Sequence, residues 1–172
     1  AVCKPCVGGK YSDEGAGKTD VGVCKACILG KYSDAGEART AEAVCKNCGA
    51  GKYSGTGEEG ETAESHCVEC GKGKYSGELG AGQEDTCKDC GKGKYLDDTG
   101  KTSEANCKLC AVGMKGELEG LVDAYHAANN SIGCVNCSAG KHQDVLGSFA
   151  CKTVGEGEYA DEQGLRFPVK CP

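Results

Sequence analysis

The chain has 172 residues with sixteen cysteines, 29 glycines, two phenylalanines, no tryptophan and a net charge of −6. So few large apolar side chains cannot fill one core at this length, and cysteine at this density marks a scaffold held by staples. The acidic balance, with arginine only at Arg39 and Arg166, excludes the basic, aromatic surface that nucleic-acid binding needs.

Cys-x-x-Cys occurs seven times, starting at Cys3, Cys24, Cys45, Cys67, Cys87, Cys107 and Cys134, at intervals of 21, 21, 22, 20, 20 and 27 residues. The core of the unit is Cys-Lys-x-Cys-x-x-Gly-Lys-Tyr-Ser, followed by a turn rich in Asp, Glu and Gly. Tyr11, Tyr32, Tyr53, Tyr75 and Tyr95 share one position, and Gly9, Gly30, Gly51, Gly73, Gly93, Gly113 and Gly140 another. An eighth, damaged copy begins at Cys151, with Val154 in place of the second cysteine, and Cys171 stands where a ninth unit would begin. A repeat of this period is one supersecondary unit that cannot bury its own apolar face alone.

Gly-Lys-Tyr-Ser suits a short strand, and stretches such as Asp13-Glu-Gly15 and Asp97-Asp-Thr-Gly100 suit turns. The predicted fold is small and disulfide-rich, an elongated tandem array of about eight short irregular β-hairpin units with little regular secondary structure. Residues 1–110 hold the regular repeats (about five and a half units), 111–133 a divergent unit, and 134–172 degenerate C-terminal repeats. In the divergent unit Leu118, Leu121, Val122 and Tyr125 recur at the spacing of one helical face, which predicts a helical insert near 116–129. That stripe reads either as a cap packed on its own hairpins or as a docking face for a partner.

Two chemistries compete for the cysteines. Cys-x2-Cys-x17-Cys-x2-Cys lies within four-cysteine zinc spacing, whereas the even total fits a disulfide framework. Uniform units without alternating spacing, a unit that lacks one cysteine, and the acidic charge favour disulfides, hence an oxidising compartment. A zinc-binding intracellular repeat protein remains the alternative. A redox Cys-x-x-Cys needs one motif at a helix N-terminus in a βαβ unit, and no such context surrounds any of the seven.

Cys-x-x-Cys-x-x-Gly-Lys-Tyr resembles the cysteine-rich repeats named after ephrin receptors and the related tumour-necrosis-factor-receptor modules. Tandem Gly-Lys-Tyr-Ser copies are similar to algal and protist surface proteins. The resemblance runs well from Cys3 to about Cys110 and patchily beyond. It implies that the second cysteine of one unit bonds the first of the next: Cys6–Cys24, Cys27–Cys45, Cys48–Cys67, Cys70–Cys87, Cys90–Cys107, Cys110–Cys134 and Cys137–Cys151. Cys3 and Cys171 are then left over, unpaired or available for an inter-chain, head-to-tail link. A crossed scheme (Cys3–Cys24, Cys6–Cys27 and onward) is the rival.

Asn129 and Asn136 head glycosylation sequons, as a secreted glycoprotein would carry. His66, His126 and His142 read as surface residues and the acidic turns as solvated. The lysines after the motif glycine (Lys10, Lys31, Lys52, Lys74, Lys94, Lys141) would form a basic row in a regular array. No run of about 20 apolar residues occurs, so no direct membrane span is expected. The sequence opens without a signal peptide, as a processed chain starting at Ala1 would. No nucleophile–base pair or phosphate loop is present, so no catalytic residue, cofactor or metal is assigned. The expected role is a non-catalytic structural or protein-interaction module, extracellular or at the cell surface, or in an oxidising lumen such as the thylakoid. It would act as a coat, adhesion or filament subunit. The alternative is an accessory subunit on the lumenal or extracellular side of a larger, membrane-bound assembly.

Overall fold

The computed structural model describes residues 6–12, 24–34, 42–124 and 132–172. Sixteen short strands form eight antiparallel two-stranded hairpins, and no regular helix occurs among the described residues. The strands are β1 (Lys10–Tyr11) with β2 (Lys25–Ala26), β3 (Lys31–Tyr32) with β4 (Lys46–Asn47), and β5 (Lys52–Ser54) with β6 (Cys67–Glu69). There follow β7 (Lys74–Tyr75) with β8 (Lys88–Asp89), β9 (Lys94–Tyr95) with β10 (Lys108–Leu109), and β11 (Met114–Lys115) with β12 (Val135–Asn136). The last two are β13 (Lys141–His142) with β14 (Lys152–Thr153), and β15 (Glu158–Tyr159) with β16 (Val169–Lys170). Each first strand follows a tight turn, in which for example the Lys94 amide donates to the Gly91 carbonyl at 3.2 Å. Short 3₁₀ turns at Glu42–Val44, Glu64–His66, Glu84–Thr86 and Glu104–Asn106 lead the chain back to the next cysteine.

A two-residue ladder cannot hold a hairpin in water by itself. Seven disulfides close the loops: Cys6–Cys24, Cys27–Cys45, Cys48–Cys67, Cys70–Cys87, Cys90–Cys107, Cys110–Cys134 and Cys137–Cys151. These are the pairs implied by the receptor-type resemblance, and the crossed scheme does not occur. The bonds also overturn the zinc reading, because a cysteine in a disulfide has no thiolate to offer a metal. The sulfurs themselves form most of the core. Tyr32 packs with Cys48 and Cys67, Tyr75 against Cys90 and Cys107, and Tyr95 against Cys110 and Cys134. The conserved spacing of tyrosine within the repeat thus places one ring on the disulfide of the following hairpin.

The chain divides into two compact units, Ala1–Cys70 with Ser76–Cys87 and Gly71–Tyr75 with Lys88–Pro172. Within each, neighbouring hairpins are joined by main-chain hydrogen bonds. In the first unit the Gly9 amide donates to the Ser33 carbonyl at 3.3 Å, and the Ser33 amide donates to the Glu61 carbonyl at 2.9 Å. In the second, Gly73 donates to Leu96 and Leu96 to Leu121, both at 2.8 Å, and Gly113 donates to Gln143 at 2.6 Å. The residue that closes or follows the first strand of the hairpin is buried as Ser33, Ser54, Ser76, Leu96, Gln143 or Ala160, and at Ser33, Leu96 and Gln143 it is both donor and acceptor.

Two expectations need correction. The helical insert does not form over 116–124: the chain bends at Leu118 to Gly120, and Gly120 has φ of 68°. Leu121 is 1% exposed beside Cys110, Met114 and Cys134, with its carbonyl taken by Leu96. The i, i+3, i+4 spacing arose because Leu121 fills the repeat position held by Glu61 and Ala81, each bridged to the tyrosine of the preceding hairpin. Residues 125–129 lie outside the described residues. The second correction concerns Cys171. Its amide donates to the Gly157 carbonyl at 2.8 Å, as Cys110 does to Gly93 and Cys137 to Gly113. It therefore holds the second-cysteine position of a ninth Cys-x-x-Cys, whose first position is Pro168. The absent eighth bond is missing on both sides, at Val154 and Pro168.

Gly93 shows how tightly the hairpins approach. Its φ is 78°, and a Cβ there would fall 1.9 Å from the Gly147 carbonyl oxygen. Gly91, two residues earlier, faces open space. Gly93→Ala is expected to destabilise the protein by about 2–4 kcal/mol, through left-handed strain plus a backbone clash. Gly91→Ala should change stability by less than about 0.5 kcal/mol. Denaturant unfolding of the two variants under oxidising conditions checks the contrast.

Candidate interaction surface

The exposed faces of the hairpins carry a recurrent cross-strand set built from the repeat itself. The lysine after the first cysteine lies opposite the strand tyrosine, and an aspartate two residues beyond that tyrosine completes the group. Lys46 pairs with Asp34 at 2.8 Å and lies 6.0 Å from the Tyr32 ring centroid. Lys108 pairs with Asp97 at 2.7 Å and lies 5.8 Å from the Tyr95 ring. Lys152 pairs with Asp144 in the same way, and Lys101 holds Asp98 at 2.6 Å. Hydrogen bonds from these lysines hold the carboxyls of Asp97, Asp98 and Asp144 below the usual carboxylate range. Hydrogen bonds to Asp34 and Asp97 in turn raise the ammonium groups of Lys46 and Lys108 above their ordinary value.

The lysines after the motif glycine are engaged in ion pairs more than they form a free basic row. Lys52 meets Glu64 at 3.4 Å, Lys74 meets Asp89 at 3.2 Å, and Lys94 meets Glu104 at 2.6 Å. Glu64 and Glu104 open the 3₁₀ turns of the same hairpins, so the charges are matched locally. Among the described residues Glu61 is the one buried carboxylate, and it touches the His66 imidazole and the Thr56 hydroxyl. Among the described residues no cluster of His, Cys, Asp and Glu is arranged to hold a metal ion.

The residues assigned from sequence do not gather into one site. Leu118 is 48% exposed, Leu121 belongs to the core, Val122 is half-buried, and Tyr125 lies outside the described residues. Leu121 therefore cannot serve as a docking residue. Asn129 and Cys3 also lie outside the described residues, as does His126. Asn136 is half-buried in β12, with its side chain set against Gly164. Cys171 is free and exposed.

The surface that sequence reasoning missed lies in the last two hairpins. Phe149 is 61% exposed and Phe167 56%, and they are the only phenylalanines in the chain. Val145 and Leu146 before Phe149 and Val169 after Phe167 are exposed too, as is Tyr159 opposite Val169, and the Arg166 guanidinium lies 4.9 Å from the Phe167 ring. The confinement of both phenylalanines to degenerate repeats was the available signal. No protein-family model matches the chain, and no curated protein matches it.

The pKa directions give a stability profile. The lowered carboxyls contribute stability above their ordinary value of about 3.9, and it is lost as pH falls through their depressed folded values. The raised lysines contribute fully below about 10.4, and that part is lost as pH rises through their elevated values. The melting temperature should therefore hold level between these limits and fall outside them. Carbon-13 titration should place the Asp97 carboxyl below the ordinary value, and Lys108→Ala should return it there.

Proposed function

We propose that the chain is a non-catalytic structural or protein-interaction module, a disulfide-stapled repeat array serving as a surface coat, adhesion or filament subunit. Seven disulfides fit an oxidising extracellular or lumenal compartment. No helix among the described residues is long and apolar enough to cross a membrane. The observation that carries the reading is the recurring backbone joint between hairpins. It tolerates serine, leucine, glutamine or alanine at the same buried position, so the interior is generic while the outer side chains are free to vary. Such a scaffold presents surface, and the exposed Phe149 and Phe167 supply anchors of the kind protein interfaces use. The resemblance to ephrin-receptor-like and tumour-necrosis-factor-receptor-like modules supports the same reading, since those repeats build receptors, adhesins and coats alike.

The test is lysine labelling with a membrane-impermeant reagent on intact cells and on intact and opened organelles, followed by cross-linking at native concentration. Modification of Lys88 and Lys170 from the outside, or only once a lumen is opened, is expected, with cross-links to a protein neighbour or another copy. A chain recovered from the cytosol with reduced cysteines, or one without any cross-linked neighbour, would overturn the proposal.

A further inference from the structure

The eighth hairpin departs from the repeat in the charge around its tyrosine. In the regular hairpins a lysine precedes the strand tyrosine, at Lys10-Tyr11, Lys31-Tyr32, Lys52-Tyr53, Lys74-Tyr75 and Lys94-Tyr95. A second lysine usually stands across the ladder: Lys25 opposite Tyr11, Lys46 opposite Tyr32, Lys88 opposite Tyr75 and Lys108 opposite Tyr95. Lys46 and Lys108 lie 6.0 and 5.8 Å from their ring centroids. Tyr53 faces Val68 instead, but it keeps Lys52 before it. At Tyr159 both cations are gone. Glu158 replaces the preceding lysine, and Val169 stands opposite the ring.

Carboxylates take over on both sides. The stretch Glu156-Gly157-Glu158-Tyr159-Ala160-Asp161-Glu162 carries two acids before the tyrosine and two after it. Glu158 has a local use, since its carboxylate accepts from the Gly155 amide at 3.3 Å and closes the turn. Glu156, Asp161 and Glu162 are exposed. Two cations belong to the same hairpin: Lys170 stands opposite Glu158, and the Arg166 guanidinium lies on the Phe167 ring. The four carboxylates outnumber them. Access to the ring is a property of the repeat and not of this hairpin's place in the chain. Tyr11, Tyr53, Tyr75 and Tyr95, each with a hairpin after it, are also only half-buried. Charge is what sets Tyr159 apart.

We propose that Tyr159 is a sulfation site, modified by a tyrosyl sulfotransferase that draws on an adenylyl-sulfate donor. This rests on the reading of the chain as a module of an oxidising extracellular or lumenal compartment, and it adds a modification that tunes its surface. An enzyme that binds a donor bearing both phosphate and sulfate lines its cleft with cations. Such a cleft attracts an acidic acceptor segment and repels one that carries lysine next to the phenol. In the transfer the Tyr159 Oη attacks the donor sulfur and a new S–O bond forms. The bond from that sulfur to the bridging phosphate oxygen breaks, and the nucleotide leaves with the electron pair. The phenolic proton passes to a base of the transferase, and nothing is oxidised or reduced. The aryl sulfate adds a fixed negative charge and acceptor oxygens to an acidic rim, which suits a basic protein partner.

The test has two arms. In the first, the chain from its native source is digested and the peptide holding Tyr159 is weighed. A gain equal to one SO3 group is expected, lost in mild acid and resistant to phosphatase. In the second, the purified oxidised chain is incubated with a tyrosyl sulfotransferase and labelled adenylyl-sulfate donor. Label should enter Tyr159 and spare Tyr95, and Tyr159→Phe should abolish it. Glu158→Lys, which restores the lysine of the repeat, should slow transfer roughly tenfold or more, because like charges then meet across the complex. Asp161→Asn with Glu162→Gln should slow it as well while leaving the turn contact of Glu158 intact, and unchanged melting would show that each variant folds. An unmodified Tyr159 in a disulfide-bonded chain from an extracellular or lumenal source overturns this inference and leaves the module reading in place. A group that phosphatase removes, or equal labelling of Tyr95 and Tyr159, overturns it too. A reduced, cytosolic chain overturns the module reading and this inference with it.

Discussion

The packing of one tyrosine ring on the disulfide of the next hairpin is the contact on which the rest depends. A chain with seven tyrosines, two phenylalanines and no tryptophan cannot assemble a continuous apolar core, so cystine sulfur serves as core material. Cys27, Cys70, Cys90, Cys110, Cys134 and Cys137 are fully buried, and the rings of Tyr32, Tyr75 and Tyr95 lie on the bonds that follow them. A loop of this size is worth roughly 3 kcal/mol through restriction of the unfolded chain. The same covalent link therefore limits the unfolded ensemble and supplies the surface that the folded ring covers.

That arrangement fixes each hairpin but leaves its neighbours to be joined by backbone alone. The motif glycines make this possible, because only a residue without a Cβ lets two main chains meet as Gly93 and Gly147 do. Joints of main chain to main chain are indifferent to side-chain identity. This explains how the residue that follows the first strand changes from Ser33 to Leu96 to Gln143 without loss of the hydrogen bonds on either side. It also explains the two buried serine hydroxyls, at Ser33 and Ser54, that have no hydrogen-bond partner. The backbone at those positions is engaged, and the side chain is carried along. Variation is then concentrated on the outer face, where lysine–aspartate pairs match charge locally in the second, fourth, fifth and seventh hairpins.

Much of this was legible in the sequence. The Cys-x-x-Cys rhythm and the recurrent Gly-Lys-Tyr specify hairpins, and the family resemblance implies the seven bonds seen here. What was not legible depends on contacts between backbones two repeats apart, which leave no side-chain pattern beyond an isolated glycine in each turn. The false helix came from reading Leu118, Leu121 and Val122 by period alone. Gly120 between them was the contrary signal, since it occupies the turn position shared with Gly60 and Gly80 and has the same positive φ. The register of Cys171 was misjudged because the final loops lack the 3₁₀ turn of the regular hairpins, so spacing counted from those hairpins overshoots.

Those shortened hairpins show what the disulfide can be exchanged for. In the seventh, the bond from Cys137 to Cys151 spans 14 residues, against 17 to 19 in the regular repeats. Buried Gln143 replaces the 3₁₀ turn there. Its amide nitrogen donates to the Ser148 hydroxyl and the Ala150 carbonyl, and its oxygen accepts from the Val145 amide at 3.0 Å. In the eighth, the bond is gone altogether, and its loss is symmetrical. Removing one cysteine would have left a thiol facing an apolar residue in a position built for a disulfide. With Val154 and Pro168 at the two ends no odd thiol remains inside the hairpin, and proline fixes the φ of the residue leading into β16. The hairpin keeps its register, pairing Tyr159 with Val169, because Gly164 is seated on Gly113 and its amide is held by Cys137. A neighbour's motif glycine can thus stand in for a covalent bond, and the array is held by the joints between hairpins as much as by the staples within them.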